Sequence, residues 1–391
     1  MGNKPIVAVY RDHLLSPSET FVLNQAEALQ QYIPYYLGSR LVRGVPLPEE
    51  RTLVVNSSGG FLGKAREASH KLYGWAPTFV KQVRNLEPLL VHAHFGPDGV
   101  RALPLTRALR VPLLVTFHGS DATVREEYAR HLHRGHRTYL RRREELKHKA
   151  RLFIAVSKYV KGRLLEQGFP ADKIIVHYVG VDTELFRPNP SLARETTVLF
   201  VGRLVENKGV EYLIQAMSRV QTIMPGVKLV VIGDGPLRSS LERFADDTLR
   251  HYRFLGIQPQ EMVRAWMNKA KVFCVPSVTA ESGASEGFGL VFVEAQAMGL
   301  PVASFATGGI SEAVAHGETG LLADEGNVAG LSSHILRLLR DEVLWRRLSL
   351  QGRRKVCASF NLRKQVRILE GVYETLGRER KPVLTELHEK P

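Results

Sequence analysis

The chemistry-bearing residues of this chain fall in a few short stretches. The most informative is PSVTAESGASEGFGLVFVEAQAMGLP at 276 to 301, where a polar Gly/Ser loop leads into Glu286-Gly-Phe-Gly-Leu and then a helix carrying Glu294. A glycine-flanked turn running into a helix leaves the backbone N–H groups of Phe288, Gly289 and Leu290 without intrahelical partners, and such groups can hold a diphosphate. Glu294 follows Glu286 by eight residues, a little over two helical turns, so one carboxylate can sit at a cleft and the other deeper, within reach of a ribose diol. Taken alone, an acidic pair at this spacing reads as a solvated helix face, and its neighbours decide between the two.

Those neighbours are rich in phosphate-binding types. In VLFVGRLVENKG (198 to 209) a strand ends in a glycine turn followed by Arg203 and Lys208. Glycine lets the backbone approach a ligand, arginine offers a planar fork and lysine a point charge. In LVVIGDGPLR (229 to 238), Gly233, Asp234 and Gly235 end another strand with a turn that belongs at the same sheet edge. In LVTFHGSD (114 to 121), His118 stands at a strand's carboxyl end with Asp121 close by, and both are candidates to contact the acceptor. A histidine there can meet a hydroxyl or steady developing charge, or it can be a packed, satisfied imidazole. Ser16, Pro17 and Glu19 read as a capping box, with Ser16 at the cap. The helix start formed by Ser18, Glu19 and Thr20 would face the cleft and could take an acceptor group.

These groups need elements that gather them at one edge. Apolar runs of strand length alternate with amphipathic stretches throughout, the pattern of β-α-β units and parallel sheets. One series runs over 5–10, 52–56, 89–94, 112–117, 152–156 and 173–178. The second covers 196–201, 227–233, 252–255, 272–275, 302–304 and 320–322. Between them FRPNPSLAR (186 to 194), with two prolines and no periodicity, reads as a linker. The chain is therefore expected to form two doubly wound domains, 1–188 and 189–361. Ligands bind outside the carboxyl ends of such strands, so two facing sheets enclose a cleft.

Charge and composition narrow the partners. Of the 54 Lys+Arg and 39 Asp+Glu, residues 1 to 190 hold 28 and 17, a net of +11, so the first domain carries most of the positive charge. Its segment 125–151 packs ten Lys+Arg against four Glu, with Tyr128, Leu132, Tyr139 and Leu146 set as one narrow helical stripe. That reads either as a solvated helix packed by the stripe or as a docking element for an anionic membrane. Nucleic acid is not expected, because no helix-turn-helix, finger or RRM pattern accompanies the charge. Two cysteines cannot form a disulfide framework or a thiolate zinc site, and neither a signal peptide nor a spanning apolar run is visible, so the expectation is cytoplasmic. His92 and His94, and the group His131, His133 and His136, lack carboxylate or thiol partners at useful spacing. No Asp-x-Asp occurs either, and no metal or other cofactor is expected. Neither G-x-G-x-x-G after the first strand nor a P-loop is present, which disfavours dehydrogenase and P-loop chemistry.

Taken in order, HAHFG (92 to 96), TFHGSD (116 to 121), AVSKYVK (155 to 161), GVDTELFRP (180 to 188), GRLVENKG (202 to 209), GDGPL (233 to 237) and the 276 to 301 block resemble the retaining GT-B glycosyltransferases of family GT4, marked by two glutamates with seven residues between them. SPSETFV (16 to 22) and PSVTAESG (276 to 283) further resemble the branch that builds exopolysaccharides of the colanic-acid and amylovoran type. The resemblance implies an α/β, two-domain GT-B fold whose last helix, within 362–391, crosses back to the first domain. It implies a nucleotide-diphosphate sugar donor, UDP- or GDP-linked, and an acceptor that is a glycan or a lipid-linked glycan, the latter placing the protein at the inner face of the cell membrane. By position, Arg203 and Lys208 would clamp the diphosphate, Glu294 the ribose, and Glu286 the transferred sugar, with His118 near the anomeric centre. Two readings of another class stand beside this one: a GT-B-shaped epimerase, and a non-catalytic module that binds polyanions.

Overall fold

The computed structural model describes residues 4–16, 19–57, 60–73, 76–132 and 134–378. Eight strands build the first sheet: β1 (Ile6–Tyr10), β2 (His13–Leu14), β3 (Ile33–Leu41), β4 (Thr52–Asn56), β5 (Leu90–His94), β6 (Leu113–Phe117), β7 (Leu152–Ala155) and β8 (Ile174–Val176). They run in the order β2-β3-β1-β5-β6-β7-β8, with β4 also on β3, and every pairing is parallel. Six strands build the second: β9 (Glu195–Val201), β10 (Lys228–Ile232), β11 (Tyr252–Phe254), β12 (Ala270–Cys274), β13 (Val302–Phe305) and β14 (Gly320–Ala323), in the order β11-β10-β9-β12-β13-β14 and again all parallel. Parallel sheets are covered on both faces, which is why β5 and β6 are buried at every residue.

One long strand escapes the sequence pattern. β3 reads IPYYLGSRL, and its Pro34 and Gly38 are residues that weaken a strand by propensity. Gly38 is there because the backbone passes Arg11 so closely that a Cβ would lie 2.4 Å from its carbonyl oxygen. A contact distant in sequence thus decides the residue type.

The basic segment does not form one stripe. It folds as two helices, Glu126–Leu132 and Arg134–Lys149, that lie side by side, since Glu126 of the first pairs with Arg143 of the second. Tyr139 and Leu146 are buried, but Leu132 is 54% exposed, and the Tyr128 hydroxyl turns toward the second domain, donating to Glu281 at 3.0 Å. His133 lies outside the described residues.

After β8 the chain crosses to the second domain, and Val181 pairs with Asn361 just before the helix Leu362–Arg378. That helix lies on the first sheet. Its Val366, Leu369, Tyr373 and Leu376 pack against Val7, Leu90, Leu114 and Ile154, at about 1.5–3 kcal/mol for each large apolar side chain fully buried. Glu370 accepts the N–H groups of Gln30 and Gln31, both at 2.6 Å, and ties the helix to the chain entering β3. No helix among the described residues is long and apolar enough to cross a membrane.

Candidate functional site

In the second domain three loops meet because glycines allow backbones to touch. Leu204 N–H donates to Asp234 O at 2.9 Å. A Cβ on Gly233 (φ +134°) would fall 1.9 Å from Gly202 O, and one on Gly235 would fall 2.4 Å from Leu204 O. On the other side Gly209 (φ +62°) lies against Pro276 O, again at 1.9 Å from where its Cβ would be. The loops after β9, β10 and β12 are therefore one surface at the carboxyl edge of the sheet.

The side chains on that surface differ in how far the protein satisfies them. Lys208 Nζ donates to Glu286 Oε2 at 2.5 Å, and Ser277 Oγ lies 3.4 Å from the same oxygen. Arg203 is exposed and has no side-chain hydrogen bond or ion pair among the described residues. Asp234 is turned away, toward Arg238 at 3.3 Å and the amide of Gly235 at 2.7 Å, so its carboxylate braces the turn. The helix Leu290–Ala297 starts behind Gly289 at φ +80°, where a Cβ would meet the Phe292 ring at 2.4 Å. The N–H groups of Phe288, Gly289 and Leu290 find no acceptor among the described residues. Glu294, on that helix, is partly buried with no side-chain partner, and burial pushes its carboxyl up to about 7.

The first domain offers groups that are already engaged. The buried Asp121 carboxylate takes the amides of His118 (3.0 Å) and Gly119 (2.9 Å) on one oxygen and that of Gly96 (3.0 Å) on the other. It builds the loop that carries His118. Glu19 is buried too. Its Oε1 receives Arg11 Nη2 at 2.7 Å and its Oε2 receives the Ser16 N–H at 3.1 Å. The Glu19 arm of the capping box is thus present, and Glu19 N–H donates to Ser16 O at 2.9 Å, but the helix begins at Thr20, with Glu19 at the cap position. Pro17 and Ser18 lie outside the described residues. His118 is half-buried beside Phe21, Phe95 and His94.

The two sets of loops touch. A Cβ on Gly287 would fall 2.3 Å from His118 O, so the His118-Gly119 turn rests directly on the turn that follows Glu286. Ser157 Oγ donates to Gly287 O at 2.5 Å, Tyr159 OH pairs with Ser285 Oγ at 2.7 Å, and Arg125 N–H donates to Ser282 O at 2.9 Å. Glu312 of the second domain accepts the Lys158 and Tyr159 amides and the Tyr178 hydroxyl at 2.8–2.9 Å. Arg11, Phe95, Ser157 and Glu312 had no role assigned from sequence. For Phe95 and Ser157 the signal was present in HAHFG and AVSKYVK. A hollow of about 830 Å³ lies elsewhere: Glu195, Lys228 and Tyr252, which line it, begin their strands, so it opens at the amino edge of the sheet, away from the ligand-binding edge of such folds. Among the described residues no three or more His, Cys, Asp or Glu side chains gather as a metal site.

Cations and free amides at one sheet edge, with a loop carrying an imidazole resting against it, are the parts needed to bind a diphosphate and stabilise it as it leaves. Residues 18–185 match the family described as Glycosyltransferase Family 4, and residues 195–341 match Glycosyl transferases group 1. The chain is 32% identical over 290 residues to the amylovoran biosynthesis glycosyltransferase AmsK of Erwinia amylovora, an alignment covering 73% of this chain and 69% of AmsK. It belongs to glycosyltransferase family 4. Another relative, the GDP-mannose-dependent alpha-(1-6)-phosphatidylinositol monomannoside mannosyltransferase of Mycobacterium tuberculosis, is 33% identical over 218 residues, 52% of this chain and 57% of that one. The family 4 fold here is GT-B, similar to sucrose-phosphate synthase of Thermosynechococcus elongatus (TM-score 0.77, 23% identity, 96% of this chain and 100% of that one) and to Anabaena HepE, solved with UDP and glucose (TM-score 0.76, 21% identity, 95% and 100%).

Proposed function

We propose that this glycosyltransferase moves a hexosyl unit, with retention at the anomeric carbon, from a UDP- or GDP-linked sugar to a lipid-linked glycan acceptor in the assembly of a bacterial exopolysaccharide. The observation that carries the reading is the edge of the second sheet: Lys208 paired to Glu286, Arg203 without a partner and three free amides at one helix start. As the bond from sugar to phosphate breaks, negative charge grows on the departing diphosphate. Arg203, Lys208 and the amides are already in place to receive it, without a divalent ion. Glu286 holds the transferred sugar and keeps Lys208 oriented until the diphosphate arrives, and Glu294 accepts from the ribose hydroxyls. The acceptor hydroxyl attacks from the face the diphosphate leaves, and a diphosphate oxygen takes its proton.

The amylovoran enzyme supports the product class, and the mycobacterial mannosyltransferase supports both a GDP-sugar and an acceptor on a lipid. The first domain carries charge suited to such an acceptor: Arg130, Arg134, Arg137 and Arg141 are exposed on the two helices of this segment, as is Leu132, a composition that fits the anionic inner face of the cell membrane.

Glu286→Gln tests the reading. The variant should keep or tighten its grip on the nucleoside diphosphate, since Lys208 loses its competing carboxylate, while transfer falls by about 10²–10³-fold. Calorimetry with UDP and GDP, beside a transfer assay run with and without EDTA, reads both. Parallel loss of binding and transfer would contradict the role of Glu286, and loss of wild-type transfer in EDTA would contradict a diphosphate held by side chains and amides alone.

A further inference from the structure

His118 is surrounded on its ring faces and spent at one of its nitrogens. Phe95 lies 4.6 Å from it, centroid to centroid, Phe21 4.9 Å and His94 5.2 Å, the last nearly parallel at 20°. His94 Nδ1 is 3.0 Å from His118 Nε2, so one of the two donates to the other. His118 Nδ1 has no partner among the described residues, which leaves it as the ring atom free for a ligand.

His94 is itself held from below. It stacks on His92 at 4.4 Å, and both nitrogens of His92 are committed, Nδ1 to the Tyr373 hydroxyl and Nε2 to Thr116 Oγ1, each at 2.7 Å. Tyr373 belongs to the helix that returns from the second domain, so this column of imidazoles is anchored at its far end by that crossing. Phe95 has a backbone φ of +74°, a left-handed value that strains a residue with a side chain, and its ring fills the space between the Arg11 guanidinium (4.4 Å) and His118. Strain of this kind persists only where the surroundings impose it.

Burial first, then neighbouring imidazoles and, for His94 and His118, Arg11, push all three histidines below the usual range, His118 to about 3. The rings are neutral at pH 7, and two neutral imidazoles joined through Nδ1 and Nε2 share a single proton between those atoms. Whichever tautomer His94 adopts therefore dictates that of His118.

We propose that His94 is the positioning residue of the cleft: it fixes both the ring orientation and the tautomer of His118, so that one defined atom, Nδ1, faces the sugar at the reacting centre. This rests on the assignment of His118 to the sugar site made above. The buried His94 never touches substrate and acts only through His118.

The test compares His94→Leu with His94→Asn, whose amide can reach the position of the lost Nδ1. The leucine variant should keep the donor KM and lose kcat by about 10²-fold, the scale of a misplaced reacting group, and the asparagine variant should recover most of it. In a His118→Ala background His94→Leu should cost nothing more. Nitrogen NMR of the unsubstituted protein should show His118 as one tautomer. Equal damage from leucine and asparagine, or a mixture of tautomers in the wild type, would overturn the proposal. An active His118→Ala enzyme would remove His118 from the sugar site and the proposal with it, whereas an impaired His118→Ala beside an unimpaired His94→Leu would sink the proposal alone.

Discussion

Arg203 and Asp121 both follow the carboxyl ends of strands in facing sheets, and both read from sequence as ligand-binding charges, yet their surroundings are opposite. Arg203 extends into solvent with nothing to hold, and nearby amides and Glu294 are likewise unsatisfied. Asp121 is buried under three backbone donors, as Glu19 is under Arg11 and the Ser16 amide. A buried carboxylate whose acceptor capacity serves its own loop has little left for a substrate. In the second domain the protein leaves groups open, and in the first it spends them on shaping the wall.

The largest contrast should come from removing one residue of each kind. Arg203→Ala should cost transfer about 10²-fold or more, as loss of one preorganised donor to a developing anion does, and leave the melting temperature in place. Asp121→Ala strands three N–H groups, with a penalty of about 1–3 kcal/mol for a buried donor left unmade, and should lower the melting temperature by several degrees. Calorimetric melting beside initial rates separates them. An Arg203→Ala protein that melts early, or an Asp121→Ala protein that does not, erases the distinction.

The same contrast explains what was legible beforehand. The glycine turns and charged residues of 202–209, 233–237 and 286–294 are set by local needs, a sharp turn or a free amide, and local needs show in a sequence. Arg11, Phe95 and Ser157 act through partners distant in the chain: Arg11 meets Asp98, Ser157 meets Gly287, and Phe95 lies between Arg11 and His118. HAHFG and AVSKYVK flag Phe95 and Ser157 as parts of a motif, but nothing within a few residues names the distant partner. β3 is the same lesson in the fold, since Pro34 and Gly38 argue against a strand locally and the neighbouring Arg11 carbonyl demands the glycine. The helical stripe over 125–151 does not form for a related reason: the second helix lies back along the first, pairing Arg143 with Glu126, and a single helical period cannot describe both.

Glu294→Gln sharpens the comparison from the donor side, with a smaller effect and a sign that depends on pH. Burial raises the carboxyl from 4.5 to about 7. The folded state therefore resists its ionisation, and the stability present below about pH 4.5 is lost as pH rises through 7. Glutamine carries no charge to bury. The variant should match the wild type at acid pH and exceed it above pH 7, by about 1–3 kcal/mol given the partial exposure of the site, while binding nucleotide sugar more weakly. Wild-type donor affinity should also fall as pH drops through 7, because only the carboxylate accepts from both ribose hydroxyls. Melting curves at pH 5 and 8 decide it, and a variant no more stable at pH 8 would mean that Glu294 has partners of its own and belongs with Asp121.

The smallest effect is expected at Ser157, where the two halves join. Its buried hydroxyl accepts from Val160 N at 3.0 Å, capping the helix Lys158–Glu166, and donates to Gly287 O at 2.5 Å, beside the turn that presents Glu286. Ser157→Ala removes both bonds. The cap is worth about 1 kcal/mol, although Glu312 still holds the next two amides from across the interface and limits the loss. If the bond to Gly287 seats the donor loop, kcat should fall by roughly fivefold, the equivalent of about 1 kcal/mol in the barrier, and Ser157→Thr, which keeps the hydroxyl, should restore it. A lowered melting temperature with unchanged kcat would show instead that the first domain merely abuts the loop. The satisfied wall and the open edge would then work independently of one another.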